Sequence, residues 1–202
     1  MKYVFATFTK TGNLRYISHL DLQRAFPRLL LRTGLPIKFS EGFNPHPKLM
    51  FAQPLSLFQE SICEVAEFRF EDDCPTEAET LARLQAQSPE GMTFTKVEYS
   101  EKKLPPCKAA EYTLSFETAL ELEAFRALFA GEMPVVKKTK TQEKTVDIAP
   151  LITEKSFAKT ETGVALRCTL PCGNEYLNPS YIEQFLGDKV TDMRVMREKL
   201  MF

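Results

Sequence analysis

Between Ser18 and Lys48 stand a helix that must stop and a loop that cannot become one, and no other stretch limits the possible folds as tightly. Ser18 and Asp21 have the three-residue spacing of a capping box. Leu22, Ala25, Phe26, Leu29 and Leu30 then recur at helical period and give the segment a core-facing side. Arg24, Arg28 and Arg32 recur every fourth residue away from it, a stripe of three guanidiniums. Pro27 predicts a kink or a split after Ala25-Phe26, and Gly34 and Pro36 end the helix. The loop SEGFNPHPK, Ser40 to Lys48, follows. Its two prolines fix φ on either side of His46, and Gly42 permits a tight turn.

The elements around this pair set the fold class. Lys2 to Lys10 is β-rich, and Lys48 to Pro54 reads as a second strand. In Ile62 to Phe70, apolar positions alternate with Glu64, Glu67 and Arg69, a strand with one wet face and a change of phase at Val65-Ala66. A helix from Thr76-Glu77 to Gln87 and a strand from Met92 to Tyr99 complete a β-α-β-β-α-β order. That is the ferredoxin-like plan, an α+β fold whose antiparallel sheet carries helices on one face. A second pass follows: a strand from Glu111, a helix over 119–130, strand-like segments over 135–146 and 155–170, a short helix from Tyr181 and a closing segment from Lys189. The expected organisation is two ferredoxin-like modules, 1–100 and 111–202, joined by a linker over 101–110 (Glu101 to Pro106 its core).

Composition excludes several classes. No run of about eighteen apolar residues exists to span a bilayer, and MKYVFATFTK lacks an apolar leader. Cytoplasmic is therefore the expectation. Five scattered cysteines argue against a disulfide framework, and Cys168 and Cys172 without nearby histidines do not make a zinc set. No Gly-rich phosphate loop occurs, so nucleotide hydrolysis and dinucleotide binding are not expected, and no metal or cofactor is called for. The net charge of −1 conceals asymmetry. Residues 10–50 hold seven basic and two acidic groups, and residues 51–133 hold seven basic and sixteen acidic. A basic lobe beside an acidic stretch suits a phosphate-bearing partner.

The candidate site is therefore anionic-ligand chemistry: Arg24, Arg28 and Arg32, then Phe43, Asn44, His46 and Lys48, then Lys138, Lys140 and Lys144, with Lys137 beside them. Phe43 either stacks on an unpaired base or fills the core beneath its loop. Lysines over 137–144 either bind or keep an edge strand from pairing, and Asp147 either joins an arginine or caps a turn. His46 and His19, with Asp21 or Asp147 orienting one of them, could serve a metal-independent ribonuclease. A packed, hydrogen-bonded His19 is the alternative.

The strings SHLD, R-x-x-x-R, GLP and S-x-GFNPHPK, with Phe51-Ala-Gln-Pro-Leu, Glu60-Ser61, Glu64 and Lys140 to Ile148, resemble a family of bacterial proteins usually called radical-SAM-linked. The chain departs from that pattern at Phe58, where the resemblance leads one to expect glycine, and at Leu30-Leu31, where a further arginine is usual. The resemblance implies an accessory protein without catalysis of its own. It would bind structured RNA (tRNA or rRNA) or present it to a separate radical-SAM enzyme in RNA modification or processing. The three-cysteine cluster motif of such an enzyme does not occur in this chain. An endoribonuclease using His46 and a protein-only scaffold for the radical-SAM partner are the alternatives.

Overall fold

A computed structural model describes residues 2–71, 74–138 and 143–202, apart from the side chain of Lys138. The chain divides into two compact units, Met1–Cys107 with Phe202, and Lys108–Met201. Both mix helices with antiparallel sheet.

In the first unit, strand β1 (Tyr3–Lys10) leads through a 3-10 turn into helix α1 (His19–Arg32). Next come β2 (Met50–Phe51), β3 (Gln59–Arg69), helix α2 (Glu77–Ala86) and β4 (Phe94–Ser100). Strand β1 lies between β4 and β3, and β2 pairs with β3, every pairing antiparallel. Alternation along β1 buries Val4, Ala6, Phe8 and Lys10, and α1 lays Leu22, Phe26, Leu29 and Leu30 on that side. The rings of Phe8 and Phe26 meet at 5.4 Å, those of Phe26 and Phe94 at 5.9 Å, and Leu84 of α2 joins the same core. Burying side chains of this size contributes about 1.5–3 kcal/mol each.

Helix α1 passes through Pro27 as one element and is not split after Ala25-Phe26. The proline removes one backbone bond, to the carbonyl of Gln23, an exposed residue where water can replace it. Glu64 and Glu67 are not on a wet face: they are 2% and 5% exposed, while Ile62 is 45% exposed. For Glu64 the cause is a bulge in β3, since Phe8 faces Glu64 whereas Lys10 faces Ser61, so the phase shifts at Ile62-Cys63 rather than at Val65-Ala66. Glu67 points to the opposite face, where the segment around Leu104 covers it.

The second unit runs β5 (Ala109–Glu117), α3 (Leu122–Ala127), β6 (Pro134–Lys138), β7 (Glu143–Asp147), β8 (Thr153–Lys159), β9 (Gly163–Pro171), α4 (Ser180–Leu186) and β10 (Asp192–Met201). Strand β5 lies between β10 and β9, and β8 pairs with β9. The β6–β7 hairpin stands as a separate two-stranded sheet instead of joining that ladder, a departure from the strand expected over 135–146. The core is again aromatic, with Phe116–Phe125 at 5.2 Å and Phe129–Phe157 at 5.2 Å. Among the described residues no helix is long and apolar enough to cross a membrane.

Candidate anion-binding surface of the first unit

Helix α1 begins as its sequence requires. The Ser18 hydroxyl accepts from the Asp21 N–H at 3.1 Å, and the Asp21 carboxylate accepts from the Ser18 N–H at 3.2 Å and from its hydroxyl at 2.6 Å. Those bonds stabilise the ionised form and hold the Asp21 carboxyl below the usual aspartate range, with a smaller contribution from Arg24. His19 is half-buried, its ring edge-on to Phe51 at 5.4 Å, the packed arrangement.

The three arginines are exposed but not equivalent. Arg24 lies 3.9 Å from Asp21. Arg28 and Arg32 have no acidic partner among the described residues and border a concavity of about 390 Å³ walled by Leu14, Ile17, Leu29 and Met92. A four-residue step turns the helix through about 40° beyond a full circle. Each arginine is therefore nearer the apolar flank than the one before.

The Pro-rich loop is a braced hairpin. Lys48 N–H donates to the Lys38 carbonyl at 3.1 Å, and Ser40 N–H donates to the His46 carbonyl at 2.8 Å. Isolated bridges join Phe39 to Pro47 and Ile37 to Phe70, which anchors the hairpin beyond the end of β3. The Ser40 hydroxyl accepts from the His46 N–H at 3.1 Å and stands 3.0 Å from Nδ1. Gly42, at φ +122°, supplies the backbone conformation at the tip.

At that tip Phe43 is completely exposed, 111% of its reference area, which removes the reading that it fills the core. Asn44 and His46 are also exposed, and the Asn44 carbonyl is 3.4 Å from His46 Nδ1. Lys48 borders a smaller concavity of about 250 Å³ with Met50, Glu67, Arg69 and Lys103. The Glu67 carboxylate accepts from the Leu104 N–H at 2.7 Å, so the segment after β4 lies against the sheet face away from α1. The two concavities share no lining residue, so Arg28 and Arg32 do not meet Lys48 in a single pocket.

The remaining lysines lie in the second unit. Lys144 is exposed, directly across the hairpin from Lys137, whose ammonium sits 5.3 Å from the Tyr181 ring. Lys138 pairs through its backbone with Glu143, and Lys140 lies outside the described residues. Asp147 caps a turn, accepting from the N–H groups of Met133 at 2.7 Å and Ala149 at 3.0 Å, which hold its carboxyl below the ordinary range. None of the five cysteines forms a disulfide, and burial pushes the Cys168 thiol up to about 12, far from a reactive thiolate. Among the described residues no group of three metal-ligating side chains forms.

Two features escaped the sequence reading. Tyr16 and Phe58, 53% and 63% exposed, stack edge-on at 6.1 Å, and the Arg15 guanidinium lies 4.7 Å from the Tyr16 ring. Phe58 has φ +65°, the left-handed region that favours glycine. The missing glycine at this position was the available signal. Inside, Lys10 is fully buried with its ammonium donating to the Gln59 carbonyl at 3.3 Å, beside buried Ser61 and Glu64. Its inward parity at the end of β1 was the trace left in the sequence.

A family model described as "Uncharacterized protein conserved in bacteria (DUF2344)" matches residues 3–179. No curated protein matches. Among solved structures, one titled "Crystal Structure of a Cbf5-Nop10-Gar1 Complex" is similar, at 12% identity and a TM-score of 0.48, over 98% of this chain and 48% of that chain. The chain thus spans about half the length of that neighbour, and a likeness of this degree carries no argument about fold or function.

Proposed function

The chain belongs to the bacterial family of uncharacterized proteins that its residues 3–179 match, and from its geometry we propose that it is an RNA-binding accessory protein. It presents structured RNA, a tRNA or an rRNA, to a separate radical-SAM enzyme for modification or processing. One observation carries this reading: a wholly exposed Phe43 on a hairpin held by the Ser40–His46 bonds, with Lys48, Arg69 and Lys103 around the concavity beside it. A rigid ring in water gains about 1–3 kcal/mol when an unpaired base stacks on it, and the cations meet the flanking phosphates. Tyr16 and Phe58 offer a second stacking surface, and Arg24, Arg28 and Arg32 add phosphate contacts.

The strand orders β4-β1-β3-β2 and β10-β5-β9-β8 support reading the chain as two ferredoxin-like modules joined near residues 101–110. In the first of them the segment around Leu104 occupies part of the open sheet face. Recognition accordingly shifts to the hairpin tip and the helix flank.

Fluorescence anisotropy with labelled bulk tRNA tests the proposal. Replacing Phe43 and Lys48 together by alanine weakens binding at least tenfold, about 1.4 kcal/mol, and leaves the melting temperature unchanged. Wild-type affinity in that variant sinks the reading. Binding falls steeply with salt. A nuclease reading has one observation in its favour, an exposed His46 held on the braced hairpin by its bonds to Ser40. Incubating labelled RNA with wild type and His46→Ala decides it: products from the wild type alone establish cleavage, and equal products or none remove it.

A further inference from the structure

Arg28 and Arg32 are two guanidiniums without acidic partners at the mouth of an otherwise apolar hollow. Its volume, about 390 Å³, falls at the lower end of the roughly 300–1,000 Å³ typical of small-molecule sites. Apart from the two arginines, every side chain that lines it is apolar. This division of chemistry selects the occupant. A nucleobase would leave its polar edges unmatched, and the one ring in the wall, Phe26, is only 1% exposed. A neutral hydrocarbon would desolvate both guanidiniums without compensation. A cation is repelled. An anionic head on an aliphatic body satisfies both halves, since the planar guanidinium fork matches a carboxylate. One turn apart on the helix, the two side chains start about 5–6 Å from each other, close enough to share one head group.

We propose that this hollow binds a small aliphatic carboxylate, with the chain on Leu14, Ile17, Leu29 and Met92 and the head between Arg28 and Arg32. The site lies apart from the hairpin on which the RNA reading rests, and it shares Arg28 and Arg32 with the phosphate contacts added there. It leaves Phe43, Lys48 and Arg24 untouched.

Isothermal titration of the full chain with sodium decanoate, 1-decanol and sodium acetate tests it. Decanoate binds saturably at one site, and decanol (no charge) and acetate (no chain) bind at least tenfold more weakly. The double variant Arg28→Gln, Arg32→Gln loses at least tenfold for decanoate and nothing for decanol. Ala25→Trp, a change at an exposed position on the rim, blocks decanoate while the melting temperature stays within a degree or two of wild type (~1 kcal/mol or less). Decanoate that binds no more tightly than decanol, binds Ala25→Trp as it binds wild type, or fails to saturate overturns the proposal. Intact tRNA binding by the wild-type and Ala25→Trp samples shows that the RNA reading survives such a failure.

Discussion

The two units handle exposed surface in opposite ways. Every large apolar side chain left in water among the described residues belongs to the first unit, Tyr16, Phe43 and Phe58 included, and the second unit has none. Charge divides less sharply, since Arg24, Arg83 and Lys96 of the first unit also lie within 4.0 Å of a carboxylate. In the second unit Arg126, Lys159, Arg167, Arg194 and Lys199 each lie within 4.0 Å of a carboxylate. In the first, Arg28 and Arg32 have none. Exposed ion pairs contribute only about 0–1 kcal/mol to stability, so the contrast concerns what each surface is free to bind. Unsatisfied rings and cations mark the first unit as the one that meets a ligand.

The largest test of that contrast lies in the cores. Phe26→Ala and Phe125→Ala each remove a fully packed ring and cost about 3–5 kcal/mol in urea unfolding. Only the first is expected to abolish tRNA binding; at a temperature where Phe125→Ala remains folded, its affinity stays within twofold of wild type. Affinity lost with Phe125→Ala would place the binding surface elsewhere. Next in size, Arg24→Ala with Arg28→Ala weakens tRNA binding at least tenfold in anisotropy. The matched pair Arg126→Ala with Arg167→Ala changes it less than twofold.

Phe58→Gly gives a smaller effect of mixed sign. Relief of a left-handed backbone returns about 1–2 kcal/mol, and loss of the Tyr16 contact withdraws about 0.5–1.5 kcal/mol. Stability therefore moves by about 1 kcal/mol or less, with glycine's greater unfolded-state freedom also opposing the gain. RNA affinity nonetheless falls severalfold. Unchanged affinity would strip the Tyr16–Phe58 pair of any role in binding.

The smallest effect comes from acid. Asp21 in the first unit and Asp147 in the second both have folded-state pKa values below the ordinary one because N–H groups stabilise their ionised forms. Each contribution to stability is complete at neutral pH and is lost as pH falls from the usual aspartate range, about 3.9, through the depressed folded value. Asp21→Asn and Asp147→Asn should each flatten the acid limb of a urea-midpoint profile. An unchanged limb in either variant denies that carboxylate its capping role.

Local rules made much of this legible. Ser18 and Asp21 form the capping box their spacing requires, and the prolines around His46 hold a loop out of helix. Pro27 does not split the helix because an exposed carbonyl can lose its partner to water without breaking it. Glu64 misled because a bulge elsewhere in β3 reversed its facing, and a one-residue slip in a strand flips every later side chain. Phe43 could not be placed from sequence, since a lone ring in a loop has equal access to core and solvent until the hairpin directs it.

Sequence by itself determined where α1 and α2 begin and end, which prolines and glycines hold the turn, and which residues carry positive charge, because those depend on neighbours a few positions away. Tertiary structure alone decided which charges remain unpaired and which rings stay wet. Partners for Arg28 and Phe43 would have to come from segments distant in the chain, and only the folded arrangement shows that none is supplied among the described residues.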